Sequence, residues 1–346
     1  MNDKLLAKIN TVLTCYYEEL IGSVKDNDGI VGEYFNELNN DPPRLLCQTR
    51  SIFFLVKFYE IFNDRESLEL AQSIYKKTRH IYKINELWSM RVGQDEPLDL
   101  YGFASLAYAE VMLYQSTGFQ EFAQYSDETL DFLVNIILSE DFGVESSVYQ
   151  NRISQNPLMH LFESFVFAYQ VLQKESYKEA ALKILNVVCQ NFYNAENGAI
   201  MEVLFETDMP CWYEPGHLFE WGSLLKVARK QGITFNGIAY ESLIRLAESI
   251  TEKSDYMVPA KVYIAEDEIE NIYRIWASLE RMRVHFLLED SQLGVDGVER
   301  ILAQFFDSNN LPIEFREATN SKVKSTTGYH IINCFDEAIK WIKQNS

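Results

Sequence analysis

Residues His160-Leu161-Phe162-Glu163 recur unchanged 57 positions later as His217-Leu218-Phe219-Glu220. Each copy follows a proline by two or three residues (Pro157, Pro215), where a helix is expected to begin. Six equal helical hairpins in a chain of 346 residues would recur about every 58 residues, so this spacing suits a ring of six. The same step forward from 217 reaches Arg274, and the next falls beside His330. Backward from 160 it lands on Phe103 and then Leu46, four residues short of Arg50. Equivalent positions of successive hairpins lie at one end of a helical barrel. His160, His217, Arg274 and His330 are therefore expected near a common mouth.

The rest of the chain agrees with an all-α reading. Apolar residues recur at three- and four-residue steps, and few runs alternate as a strand would. Start and stop signals predict helices over 2–24, 43–62, 65–81, 100–116, 120–138, 158–174, 176–193, 216–230, 236–251, 267–289, 291–306 and 328–344. Breakers such as Glu214-Pro215-Gly216 and Asn309-Asn310-Leu311-Pro312 separate them. No linker or change of composition divides the chain, so residues 1–346 are expected to form a single domain.

Composition narrows the function. Asp and Glu number 51 against 31 Lys and Arg, a formal charge of −20, which repels a phosphate backbone and argues against nucleic acid as a partner. Cys15, Cys47, Cys189, Cys211 and Cys334 are scattered and never form C-x-x-C, which fits a reducing cytoplasm better than a disulfide framework or thiolate metal site. No apolar run approaches the roughly 20 residues a membrane span requires, and no signal-type block opens the chain. No dinucleotide, P-loop, nucleophile-elbow or kinase motif is present.

Three of the five histidines share the repeat phase at predicted helix starts, where free N–H groups suit anionic intermediates. The other two, His80 and His285, read as structural. In H-x-x-E both side chains share a helix face, so Glu163 and Glu220 can each accept a hydrogen bond from the histidine ahead of them. Core-facing pairs with no chemistry, and two His with two Glu around a divalent ion, are the competing readings, although the helical di-iron motif has the opposite order. Arg50 and Arg274 sit in apolar surroundings and call for a buried carboxylate or a polar cavity. Trp88, Trp212 and Trp221, with Tyr213 and Tyr329, could stack on a sugar ring.

These motifs resemble the N-acylglucosamine 2-epimerase superfamily, which includes mannose isomerases. Gln155 to Glu163 resembles its N-x-H-M-H-L-x-E block, with Asn156 at the first position and Leu158 replacing the first histidine. Glu214 to Trp221 matches E-P-G-H-x-F-E-W at every fixed position, Arg274 to Glu280 is similar to R-L-W-P-Q-T-E, and Tyr329-His330 to the C-terminal Y-H. The helix Leu46 to Phe53 resembles the one supplying the family's arginine, here Arg50, and Tyr101 stands where isomerases often carry histidine.

The resemblance implies a single (α/α)6 barrel, no metal or organic cofactor, and a small-molecule sugar as partner for a monomer or homodimer. It further implies aldose–ketose isomerisation of a free hexose through a cis-enediolate. His217 and His330 would be the acid and base, with Glu220 orienting His217, Arg50 stabilising the oxyanion and His160 assisting. Glu163, Asn156, Trp212, Trp221, Arg274, Glu280, Tyr101 and Trp88 are the expected sugar-binding set. A 2-epimerase is the alternative; a carboxylate glycoside hydrolase and a non-catalytic helical scaffold are more remote.

Overall fold

The structure is a computed structural model that describes residues 2–35, 42–84, 87–94, 97–140, 142, 154–203, 211–265, 268–288, 291–318 and 322–345. They group into two compact units, 1–98 with 274–346, and 99–273. The second contains α4 (Leu100–Thr117), α5 (Gln120–Ile137), α6 (Gln155–Leu172), α7 (Glu175–Asn191), α8 (Pro215–Lys230) and α9 (Tyr240–Lys253). Its helices pair as α4 with α5, α6 with α7 and α8 with α9, while α6 also packs on α4 and α8. The first contains α1 (Asn2–Asp26), α2 (Leu45–Phe62), α3 (Arg65–Tyr82), α10 (Ile275–Leu287), α11 (Ser291–Gln304) and α12 (Gly328–Gln344). There α2 pairs with α3, α10 with α11 and α12 with α1, and α12 contacts both α10 and α2.

One helix of each pair is buried nearly all round and the other on one face. Every residue of α2 from Leu45 to Val56 is buried, as is every residue of α8 from Pro215 to Leu225. By contrast α9 buries Leu243, Ile244, Ala247, Ile250 and Thr251, the stripe of a helix with solvent on its back. The polar and charged side chains of the sheathed helices are thus removed from water and must find partners within the protein.

Local signals explain the helix ends. Asp99 caps α4 by accepting from the Gly102 amide at 2.7 Å, and Gly118 ends it in the left-handed region that glycine tolerates best (φ +69°). Pro215 opens α8, where its missing N–H costs no helix bond.

The strands are the correction to the sequence reading. Residues 268–273, expected as the start of a helix over 267–289, form β7 (Glu268–Tyr273), which lies antiparallel to β6 (Pro259–Tyr263). That strand in turn pairs with β5 (Trp212–Tyr213). Ile269, Ile272 and Tyr273 have the spacing of a helix face, so pairing with a separate strand decides the conformation. Hairpins β1–β2 (Lys83–Ile84, Leu87–Trp88) and β3–β4 (Tyr193–Asn194, Ala199–Ile200) were not anticipated either. Among the described residues no helix is long and apolar enough to cross a membrane.

Candidate active site

In the unit of residues 99–273, His217 is the third residue of α8 and 9% exposed. Its Nδ1 lies 2.7 Å from Oε1 of Glu202, a charge-assisted hydrogen-bond length, and 3.8 Å from Glu214. Glu202 is carried on the segment after β4, fixed by two backbone bonds: its carbonyl accepts from the Gln155 amide, and its own amide donates to the Trp212 carbonyl (3.1 Å each). Burial pulls the His217 imidazole toward the neutral form. Glu202, Glu214 and Glu220 more than reverse this, raising it to about 10, so the ring is cationic at neutral pH. The orienting carboxylate at Nδ1 is therefore Glu202, which sequence reasoning missed; Glu220, expected in that role, acts on the ring by charge. The available signal was a lone carboxylate in the apolar run Ala199-Ile200-Met201-Glu202-Val203.

The same unit carries the second H-x-x-E. His160 Nδ1 lies 3.1 Å from Glu163 Oε2, so here the two sequence neighbours do meet, and the Tyr101 ring lies 4.7 Å from the His160 ring, tilted by 37°. Asn156 is the second residue of α6 and its Oδ1 has no partner among the described residues. Trp212 lies in β5 with the Lys261 ammonium 5.8 Å over its ring. Trp221 is a correction: it is 0% exposed and offers no surface to a sugar, and its indole N–H donates to Gln155 instead.

In the other unit, His330 is the third residue of α12, its Nδ1 2.7 Å from Oε1 of Glu280. The other carboxylate oxygen accepts from Arg283 at 3.2 Å. Burial lowers the His330 pKa; Glu280 opposes that, and the positive charges of Arg50 and Arg283 add to it, leaving the ring neutral at pH 7. Arg50, from the buried α2, lays its guanidinium 3.5 Å over the Tyr329 ring, which meets His330 edge-on at 4.9 Å. Trp276 lies 5.6 Å from the His330 ring.

Glu280, expected to bind sugar, is likewise 0% exposed; its two oxygens are spent on His330 and Arg283. Arg274, immediately before α10, is held by Glu314 at 2.6 Å, and Glu314 also accepts from Thr327. A half-buried carboxylate partner thus accounts for the charge of that arginine. Trp88 is buried in β2 in register with Lys83. Glu202, Glu214 and His217 bring one donor atom each within 4.8 Å, a set that could hold a divalent ion, although the 2.7 Å contact within it already has hydrogen-bond length. All five cysteines are free thiols.

The family model for N-acylglucosamine 2-epimerase (GlcNAc 2-epimerase) matches residues 36–255. The chain belongs to the N-acylglucosamine 2-epimerase family. It is accordingly an enzyme of the sugar epimerase and isomerase class. Among solved structures, cellobiose 2-epimerase from Bacillus thermoamylovorans B4167 is similar with a TM-score of 0.81 at 16% identity, covering 99% of this chain and 100% of that one. A D-mannose isomerase gives 0.79 at 16% identity, covering 98% of each chain. A glycoside hydrolase family 76 mannosidase from Bacteroides thetaiotaomicron gives 0.70 at 11%, covering 99% of this chain and 100% of that one. No curated protein sequence matched. At such identities the likeness establishes the fold, an (α/α)6 barrel built of helix pairs.

Proposed function

We propose that this protein interconverts a free aldose and its ketose, of the mannose–fructose type, by histidine-mediated proton transfer through a cis-enediolate, with residues 1–346 working as one catalytic domain in the cytoplasm. One observation carries the proposal: two imidazoles, each with a carboxylate 2.7 Å from Nδ1, are biased to opposite protonation states. Pairs of titratable groups pushed apart in this way mark acid and base roles.

In this reading neutral His330 removes the proton on the carbon next to the carbonyl, and cationic His217 supplies the acid. Returning the proton to the neighbouring carbon completes an isomerisation; returning it to the opposite face of the same carbon completes an epimerisation. Neither outcome needs an oxidant or a reductant. Arg50 stabilises the enediolate oxygen, a task for a preorganised cation, while His160 with Glu163 bonds sugar hydroxyls and assists ring opening. The three carboxylates acting on His217 favour a neutral sugar over a phosphorylated one. The family match and the cellobiose 2-epimerase likeness favour a 2-epimerase as the second reading.

Turnover in D2O with a panel of mannose, glucose, N-acetylglucosamine, cellobiose and hexose 6-phosphates tests both. Deuterium at C1 of an aldose-derived ketose, or at C2 of a ketose-derived aldose, supports isomerisation, and deuterium at C2 of an aldose recovered with inverted C2 configuration and no ketose supports epimerisation. Product still free of carbon-bound label after many turnovers at equilibrium refutes a proton transfer that exchanges with solvent.

A further inference from the structure

Trp221 and Gln155 are fully buried, at 0% exposure each. Gln155 Nε2 nevertheless lies 3.1 and 3.0 Å from the two oxygens of Glu202 and 3.1 Å from Nδ1 of His217. A side-chain amide can turn over, exchanging its oxygen for its nitrogen. Turned over, Gln155 would put a carbonyl oxygen against a carboxylate. Trp221 decides the matter, because its indole N–H is a donor only and sits 2.7 Å from Gln155 Oε1. The oxygen is held at the indole, so the NH2 must face Glu202.

We propose that Trp221 and Gln155 form an amide clamp, positioning residues that lock Glu202 onto Nδ1 of His217 and so leave Nε2 as the ring nitrogen available for proton transfer. The clamp joins three separate parts of the unit, the start of α6, the segment after β4 and the second turn of α8. None of the three side chains holds this arrangement by local geometry alone. The catalytic half of the proposal rests on the role given to His217 above; the structural half does not.

The test uses the full-length protein with 15N-labelled histidine, in Trp221→Phe and in the near-isosteric Gln155→Met. Phe keeps an aromatic ring but removes the donor, and Met keeps the length but removes both amide groups. Urea melts identify the variants that remain folded, and either one suffices. The wild type is expected to show a protected, downfield Nδ1 proton on His217. In the variants that resonance should be lost, with kcat reduced about tenfold or more and KM changed less than about twofold, as for a lost charge-linked hydrogen bond that binds no substrate. The resonance persisting unchanged in a folded variant would overturn the clamp. Its loss with turnover unaffected sustains the clamp and overturns the assignment of His217 to the chemistry.

Discussion

Replacing Glu280 by Gln perturbs the most enclosed charge of the candidate site. The side chain is 0% exposed, and both its oxygens are acceptors: Oε1 from His330 at 2.7 Å and Oε2 from Arg283 at 3.2 Å. A glutamine offers one acceptor and one donor, so it meets both neighbours only if neutral His330 shifts its proton from Nδ1 to Nε2; with the Nδ1 proton kept, one N–H group faces another. A hydrogen bond to a charged group contributes about 1.5–3 kcal/mol, and removing one member of a buried pair costs about 3–5 kcal/mol. The variant keeps the volume and one bond, so a loss of about 2–4 kcal/mol is expected. Urea denaturation measures it as a lower midpoint at unchanged slope. Because the carboxylate raises the His330 pKa against burial and two arginines, Glu280→Gln should lower that pKa further and cut turnover at least a hundredfold. A stability within about 0.5 kcal/mol of wild type would refute the reasoning, since that is what a surface change gives.

His217→Ala and His330→Ala should each abolish sugar interconversion, measured by product analysis; full turnover in either defeats its assignment. Because His217 is raised to about 10 when folded, the fold binds its proton more tightly than the unfolded chain does. That stabilisation is fully present below about pH 6.5 and is lost as pH rises toward 10; urea midpoints of His217→Gln should lack this decline. Arg274→Met breaks the pair with Glu314, which is one-third exposed on the arginine side, and should cost about 1 kcal/mol with KM unchanged. A KM raised tenfold would restore Arg274 to the sugar-binding set. Tyr16 is buried, and its hydroxyl accepts from the Gly328 amide at 2.9 Å and donates to the Ser325 carbonyl, pinning the start of α12 two residues before His330. Tyr16→Phe should therefore lose about 1–3 kcal/mol and speed hydrogen exchange at Gly328; an unchanged exchange rate contradicts the pinning role.

Helices were legible wherever burial follows a local period. The stripes of α3, α5 and α9 are written in their three- and four-residue steps, and the placing of His217 and His330 as third residues follows from Pro215-Gly216 and Gly328 just ahead of them. Failures occurred where a distant segment chose the conformation. β7 has apolar spacing compatible with either state, and only its ladder to β6 selects the strand.

Within the site, adjacency along a helix proved an uneven guide. Glu163 meets His160 three residues back, but the same H-x-x-E at 217 and 220 leaves Nδ1 to Glu202, fifteen residues upstream on another element. A helix face offers a candidate partner; a carboxylate delivered by a backbone-anchored segment at 2.7 Å wins the ring nitrogen. Residue types and their period thus determined the helical class, the family motifs and which imidazoles begin a helix, because those depend on neighbours within a turn. Which carboxylate each imidazole meets, whether Trp221 faces a sugar or an amide, and which proton state each histidine keeps were decided only by the folded chain. Charge and burial at those rings come from groups that no sequence spacing brings together.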